Sequence, residues 1–249
     1  RHGADGVRYW AAQASLGTDT IFDENVMKVG RRLVTKIYNA GKFVLSQDPG
    51  TGELGAGDIS MELDRAFIDK LRELVTFTER AFDAFEFAKV IAAVEDFFWH
   101  SFTDTYLELT KGRARSEDPS ERSSAIAALR TGLSVLLRLF APFVPYITEE
   151  VWQWAFAGDR GEPSIHNASW PTVDELADCP PPERTTSFPT AVSALAAIHK
   201  HKTLSQVSVG TPITELELAT DAETAEALRR VWADVCAGAR VESGKIRTA

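Results

Sequence analysis

The chain has 249 residues, of which 44% are hydrophobic and 25% are charged, and its formal net charge is −9 at pH 7. This composition is typical of one or two globular domains, and we find no apolar stretch of membrane-spanning length and no signal peptide. Because proteins that bind nucleic acid non-specifically are usually basic overall, the acidic balance confines any nucleic-acid site to a local positive patch. The first residue is Arg rather than Met, so we expect a fragment or a processed product.

The first part of the chain is a series of helical runs with 3.6-residue periodicity. They are predicted at residues 4–14, 25–45, 61–82, 84–111 and from 123 or 124 to 140. Asp23 is a good N-cap for the second run, and Asp83 followed by Glu86 resembles a capping box for the fourth. Ser123 or Ser124 is a candidate cap for the fifth. A glycine-rich loop at residues 46–60 carries no motif.

Two prolines interrupt the apolar run LLRLFAPFVPYITEEVWQW at residues 136–154. Proline breaks a helix interior but fits its first turn, so we predict one helix that ends near Phe140 and another that starts between Pro142 and Pro145. The bend lies within a cluster of bulky aromatic residues. We expect Phe140, Phe143, Tyr146 and Trp152 to lock this junction and so to set the position of the helix at 25–45.

The character of the chain changes after residue 157. Residues 158–186 are rich in Pro, Gly and Asp and predict an irregular connector. A helix at 187–200, a strand at 214–218, a helix at 221–237 and a strand from 240 follow. The predicted fold is therefore mainly α, a helical bundle followed by a small α+β unit. We divide the chain into residues 1–22, which look like the end of a larger unit, a bundle at 23–157, the connector at 158–186 and the α+β unit at 187–249.

The helix predicted at residues 25–45 carries the clearest charge signal. On a helical wheel its apolar stripe is opposed by an arc with five cations and no acidic residue. Solvated helix faces usually mix signs, so a face of one sign suits an anionic partner. The other interpretation is a solvated basic face. The candidate RNA-contacting residues on this arc are Lys28, Arg31, Arg32, Lys36, Asn39, Lys42 and Phe43, with the cations on phosphates and Asn39 or Phe43 near an unstacked base.

Two further basic clusters are weaker. Lys111, Arg113 and Arg115 form one, with Arg122 nearby, and acidic neighbours dilute it. The sequence HKHK at residues 199–202 is the other. For both clusters the favoured interpretation is solvated charge in a loop or at a helix end, where the macrodipole favours cations.

Catalytic and metal-binding motifs are missing from the sequence. None of the common nucleotide-binding, metalloprotease or hydrolase motifs occurs, and Cys179 and Cys236 show no metal-ligand spacing, so we expect two reduced thiols. Asp104 and Glu108, one turn apart beside Lys111, resemble an acid/base pair, but ion pairing on a helix face is the favoured interpretation. Trp99, Phe102 and Tyr106 are expected to be core residues.

Several segments, taken in order, match those of a known family. They are GADGVRYWAAQASLGTDTIFDE, GRRLVTKIYNAGKFVL, FFWHSFTDTYLELTKGR, LLRLFAPFVPYITEEVW and SIHNASWP. Together they resemble the class I aminoacyl-tRNA synthetases for aliphatic amino acids, and the valyl-tRNA synthetases among them. The first segment resembles the one after their K-M-S-K-S loop, and the second resembles the start of their anticodon-binding bundle. FFWHSFTDTYLELTKGR is similar to the family pattern Trp-x-x-Phe-x-Asp-x-Tyr-x-Glu-x-x-Lys, although Thr105 stands where many relatives have Trp. LLRLFAPFVPYITEEVW and SIHNASWP resemble the bundle-closing helix and the segment after it. The likeness covers most of residues 3–173.

This resemblance implies a tRNA-recognition module that holds the anticodon arm of a valine tRNA. It implies a cytoplasmic location and, as partners, that tRNA and the remainder of a synthetase chain, with no membrane. The full-length parent would use ATP to attach valine; the chain itself lacks the H-I-G-H and K-M-S-K-S signatures and an editing domain, so we expect no catalysis and no cofactor here. The alternatives are the same module of an isoleucyl or leucyl enzyme, a helical module that docks on an acidic protein, and a complete small enzyme, which the missing motifs disfavour.

Overall fold

The computed structural model describes residues 2–48 and 54–248. The predicted loop at 46–60 lies partly outside these residues, and its described end forms a 3-10 turn, Ala56–Asp58. The expected fold class is confirmed, because a helical bundle is followed by a small unit with a two-stranded sheet. The helices up to the connector are α1 Gly3–Ala12, α2 Glu24–Leu45, α3 Glu62–Asp83, α4 Phe87–Asp96, α5 Leu107–Thr110, α6 Pro119–Phe140, α7 Pro145–Gln153 and α8 Phe156–Asp159.

The junction between α3 and α4 differs from the prediction. Asp83 is the last residue of α3, and Glu86 is the N-cap of α4 without a side-chain capping bond, so the proposed capping box is wrong. The backbone closes α3 instead: the Glu86 N–H donates to the Ala81 carbonyl at 2.8 Å, and Phe85 takes a positive φ of 59°. Such a 6→1 bond with a left-handed residue is a common helix ending, and here it starts α4 three residues later than expected.

α6 also begins earlier than expected, and its predicted cap has another role. Asp118 is the N-cap, its carboxylate accepting from the backbone N–H groups of Ser120 and Glu121. Ser124 lies inside α6, fully buried, where its hydroxyl oxygen accepts from the N–H groups of Ser60 and Met61 at 3.0 Å. Since Met61 is the N-cap of α3, Ser124 anchors the backbone that leads into the first turn of α3 to α6.

Between α4 and α5 the helix widens into a π-helical segment, Phe97–Tyr106. π turns are rare and often occur at functional sites. The Thr105 hydroxyl donates to the His100 carbonyl, five residues back, at 2.7 Å. Phe102 and Tyr106 are buried, as predicted.

Helix α6 is the centre of the bundle. Its length and composition would suffice to cross a membrane, although we expected no apolar stretch of that length from the sequence. However, 83% of its most apolar 18-residue window is buried inside the protein. One or two such helices are weak evidence for a membrane span, since the core helix of a bundle has the same composition.

The proline bend presents the start of α7 to α1. Pro145 occupies the first turn of α7, as predicted. The carboxylate of Asp5, only 6% exposed, accepts from the backbone N–H groups of Tyr146 at 3.2 Å and Ile147 at 2.8 Å. Arg8 donates to the Pro142 carbonyl at 2.8 Å. The bend therefore creates a free helix N-terminus that a carboxylate from α1 caps.

Most of the predicted aromatic lock is present at this junction. Phe140, Phe143 and Trp152 are buried, whereas Tyr146 is 66% exposed, so including Tyr146 was wrong. Tyr146 lies in the first turn of α7, where its backbone N–H donates to Asp5 and its ring lies outside the core.

Helix α2 is held between α1 and α7 at two glycines. A Cβ at Gly30 would lie 2.7 Å from the Tyr9 Cβ of α1, and one at Gly41 would lie 2.6 Å from Val151 Cγ1 of α7. Only a residue without a side chain allows both approaches. Tyr9 also donates its hydroxyl to Glu95 at 2.6 Å, which ties α1 to α4.

The C-terminal unit contains α9 Ser187–Leu204, β1 Ile213–Thr220, α10 Ala222–Ala239 and β2 Val241–Thr248. β1 and β2 pair in parallel, with Leu216 opposite Gly244 and Leu218 opposite Ile246. A parallel pair needs a crossover, which α10 provides. All four elements fall near their predicted positions, and α9 and α10 pack together.

We expect Asp5→Ala to lower the free energy of unfolding by roughly 1–3 kcal/mol, because it removes a buried helix cap and leaves two N–H groups without an acceptor. Urea unfolding followed by circular dichroism measures this loss. The matched control is Asp19→Ala, an exposed aspartate just after a turn, which should unfold like the wild type. Equal midpoints for both variants would contradict this role of the bend.

Candidate nucleic-acid interface

The basic arc of α2 lies at the protein surface. Lys28, Arg31, Arg32, Asn39 and Lys42 are exposed. The Lys28 ammonium donates to the Asn25 side-chain oxygen at 3.2 Å, and this end of α2 lines an open groove of about 710 Å³ together with His2 and Thr35. Glu24, at the start, is the one acidic residue among those of α2. The geometry therefore leaves most of the predicted cations accessible to an anion.

Lys36 differs from the other cations because the π-helical segment engages it. Its ammonium donates to Asp104 Oδ1 at 2.8 Å and lies 4.8 Å from the centroid of the Trp99 ring. The favoured interpretation of Asp104 as an ion-pair partner is confirmed. An exposed ion pair of this kind contributes little to stability, so a phosphate can compete with Asp104 for Lys36.

The two predicted base-reading residues have different environments. Asn39 is exposed. Phe43 is half-buried and packs against the core, and its carbonyl accepts from Ser46 and Gln47. Asn39 is thus the better placed of the two for hydrogen bonds to a base.

An exposed aromatic pair beside the basic arc was not predicted. Tyr38 of α2 is 42% exposed, and Trp154, just after α7, is 38% exposed. Their ring centroids are 5.1 Å apart at an interplanar angle of 86°. The sequence offered one signal: Tyr38 is seven residues after Arg31 and four before Lys42, and so lies on their side of the helix.

In the second basic cluster one residue is not at the surface. Arg115 is exposed, and Lys111 pairs with Glu108. Arg113, however, is enclosed: its guanidinium donates two hydrogen bonds of 2.7 Å to Asp64 and a third to Asp234. The structure thus contradicts the assignment of Arg113 to an RNA-binding surface, because its donors are satisfied by buried carboxylates inside the fold.

Burial shifts the protonation equilibrium of the Asp234 carboxyl. It raises the pKa of Asp234 to about 6, although the Arg113 guanidinium opposes the shift. The pKa of Arg113 is raised, since the carboxylates of Asp64 and Asp234 outweigh the effect of burial. Because folded Asp234 binds its proton more tightly than the unfolded chain, its contribution to stability is complete below about pH 4 and is lost as the pH rises through about 6.

We expect Asp234→Asn to remove this pH dependence. As the pH rises from 4 to 7, the wild type should lose about 2 kcal/mol of unfolding free energy relative to the variant. Urea unfolding at both pH values measures it. Asp178→Asn, the same change at an exposed site, is the control and should show a constant difference. A pH-independent difference for Asp234→Asn would refute the assignment.

The third basic cluster, residues 199–202, contains a buried cation. Lys202 is 3% exposed, and its ammonium donates to the carbonyls of Val209 at 2.8 Å, Thr211 at 2.7 Å and Ala239 at 2.8 Å. Burial, together with Arg240, lowers the pKa of Lys202. Lys202 is therefore neither solvated nor available to RNA, and it joins α9, the loop before β1 and the end of α10.

Comparison with known proteins adds independent findings. A family model described as the anticodon-binding domain of tRNA ligase matches residues 64–218. The chain is 37% identical to the valine–tRNA ligase of Bifidobacterium longum (strain NCC 2705), in an alignment over 97% of this chain and 28% of that protein. It is 41% identical to the valine–tRNA ligase of Cutibacterium acnes over 97% of this chain and 27% of the relative.

A third relative is similar over a shorter stretch. Identity with the valine–tRNA ligase of Salinispora arenicola is 44%, over 70% of this chain and 20% of the relative. The chain thus spans about a quarter of the length of these curated relatives. The family model begins after α2, whereas the two longer alignments cover nearly the whole chain.

Proposed function

The chain belongs to the family of anticodon-binding domains of tRNA ligases, and from this premise we propose that it holds the anticodon arm of a valine tRNA within a valine–tRNA ligase. The relatives named above carry that activity in their names. The activity of such a ligase, the attachment of valine to tRNA with ATP in the cytoplasm, is part of the proposal, with the chemistry located outside these residues.

The observation that carries the proposal is the exposed one-sign face of α2. Lys28, Arg32 and Lys42 are exposed, and no ion pair to them occurs within residues 2–48 and 54–248. From Lys28 to Lys42 the face extends about 21 Å at 1.5 Å per residue, long enough to follow several phosphates of a loop. Because α1 and α7 fix α2 at its glycines, the cations sit on a rigid element, which favours recognition of one shape of RNA.

The cations and the Asn39 amide on this face are assigned different roles in RNA binding. Cations that meet phosphates supply affinity without reading sequence, whereas side chains that reach base edges supply specificity. We assign the first role to Lys28, Arg32, Lys42 and, in competition with Asp104, Lys36. We assign the second to Asn39, whose amide has both a donor and an acceptor for a base edge. Arg115 and Lys111 are secondary candidates for phosphate contact.

The remainder of a synthetase chain is the second proposed partner. Leu16, Ile21 and Phe22 are 74%, 84% and 65% exposed in the segment between α1 and α2. Phe22 makes an edge contact with Trp10, at 5.8 Å between centroids. Apolar side chains clustered at the surface favour contact with another folded unit, and this segment resembles the one that follows a synthetase catalytic loop.

We expect the triple variant Lys28→Gln, Arg32→Gln and Lys42→Gln to bind valine tRNA more weakly. Its plot of log affinity against log salt concentration should also be flatter by about 2 units, since each lost phosphate contact removes about 0.7 for single-stranded RNA. Electrophoretic mobility shifts at several salt concentrations provide the slope. Arg80, Lys200 and Lys245, exposed cations on other elements, serve as the matched triple control and should leave the slope unchanged.

We expect Asn39→Ala to reduce the ratio of the affinities for cognate and anticodon-swapped tRNA by roughly 5- to 100-fold, the range for one lost base contact. Affinity should fall for the cognate RNA and stay nearly constant for the swapped one. Fluorescence titrations with both RNAs test this. A protein-docking module would show no anticodon preference in the wild type, and that result would reject the proposed function.

A further inference from the structure

Tyr38 and Trp154 form an exposed aromatic surface at the edge of the basic arc. Phe67, Phe98 and Phe102 are buried in the core of the bundle. Tyr38 and Trp154 are exposed and in contact with each other, so their pairing needs another explanation than core packing. The rings meet edge to face, an arrangement that leaves part of each ring surface open to a third planar group.

The pair is held in place by its surroundings. A Cβ at Gly41 would lie 3.5 Å from Trp154 Cζ3, so the close approach of α7 to α2 brings the indole against the helix. The Trp154 indole N–H donates to Glu150 Oε1 at 3.2 Å, which fixes the ring orientation. A surface with few rotamers to lose binds a flat partner at low entropic cost.

The neighbouring charges indicate what the surface binds. At about 100° per residue, Tyr38 lies about 20° from Arg31 and about 40° from Lys42 on the wheel. It is about 10 Å along the axis from Arg31 and about 6 Å from Lys42. The carboxylate of Glu150 beside Trp154 disfavours a phosphate directly on the indole. An uncharged aromatic group that is linked to nearby phosphates satisfies both conditions.

We propose that Tyr38 and Trp154 stack one unpaired nucleobase of the RNA loop whose phosphates lie on α2. This inference rests on the proposed function and adds a contact that does not depend on base identity. Every base has a π-face, so aromatic stacking supplies affinity with little sequence preference. The pair therefore holds the loop open and fixes its register, while Asn39 discriminates between bases.

The test uses the whole chain and a valine tRNA anticodon-arm hairpin with 2-aminopurine at successive loop positions. With the wild type, fluorescence should be quenched strongly at one position outside the discriminating bases. Tyr38→Ala and Trp154→Ala should restore that fluorescence and weaken binding roughly 5- to 100-fold. The salt slope should stay unchanged, because no phosphate contact is lost. Tyr38→Phe and Trp154→Phe, which keep an aromatic ring, should retain most of the affinity.

Phe77→Ala is the matched control, since Phe77 on α3 is similarly exposed at 45%. It should bind RNA like the wild type. Tyr38→Leu keeps the bulk of the side chain without a π-face, and it should lose the quenching even if Trp154→Ala disturbs α7. Circular dichroism melting of each variant separates such disturbance from lost stacking.

The outcomes distinguish this inference from the function on which it rests. If the wild type binds no tRNA, both fail. If the wild type binds with the expected salt slope while Tyr38→Leu and Tyr38→Ala bind and quench like it, only the stacking surface is refuted. If these variants instead lose binding to an acidic protein and not to RNA, the pair is a protein-docking surface and the inference is wrong.

Discussion

The carboxylate of Asp64 is the interaction on which the rest of the structure depends. It is fully buried and accepts hydrogen bonds of 2.7 Å from the Tyr106 hydroxyl, the Ser124 hydroxyl and both terminal nitrogens of Arg113. Arg113 in turn reaches Asp234 of α10. An isolated buried carboxylate would be very costly, so these donors and Asp64 require one another. One charge thus joins α3, the π-helical segment, α6 and the C-terminal unit.

This buried network also positions the surface of the proposed interface. The π-helical segment that brings Tyr106 to Asp64 carries Trp99 and Asp104 on its other side, where they meet Lys36 of α2. Tyr106, which bonds to Asp64, and Asp104, which bonds to Lys36, are two residues apart in this segment. The hydrogen bond inside the fold therefore constrains the contact at its surface.

The sequence predicted what depends on local periodicity and proline chemistry. The positions of α2, α3, α9 and α10, the proline bend and the Asp23 cap follow from patterns within one element, and the structure confirms them. The predicted capping box after α3 failed because backbone bonds ended that helix first. Arg113 was misjudged because its partners, Asp64 and Asp234, are 49 and 121 residues away, and no local pattern reports such pairing.

Two buried charged residues, of which we interpreted only Lys202 from the sequence, did leave a signal there. Lys202 follows Leu195 and Ile198 at the spacing of a buried stripe, and Asp64 precedes Phe67, Ile68 and Leu71 in the same way. A charged residue on an apolar stripe indicates a buried, fully bonded group, and both are among the most enclosed polar residues here. Whether the cations of α2 and Asn39 contact RNA depends on a partner that neither periodicity nor packing specifies.

The glycine contacts on both sides of α2 have a mechanical consequence. Tyr9 of α1 packs directly on Gly30, and Val151 of α7 packs directly on Gly41. Neither contact includes a side chain of α2 that could yield if one helix slid past another. The Asp5 carboxylate closes the third side of this triangle by joining α1 to α7. A rotation of α1 would therefore rotate α2 with it. The orientation in which α2 presents its cations to an RNA loop would then be set by helix contacts distant from the RNA.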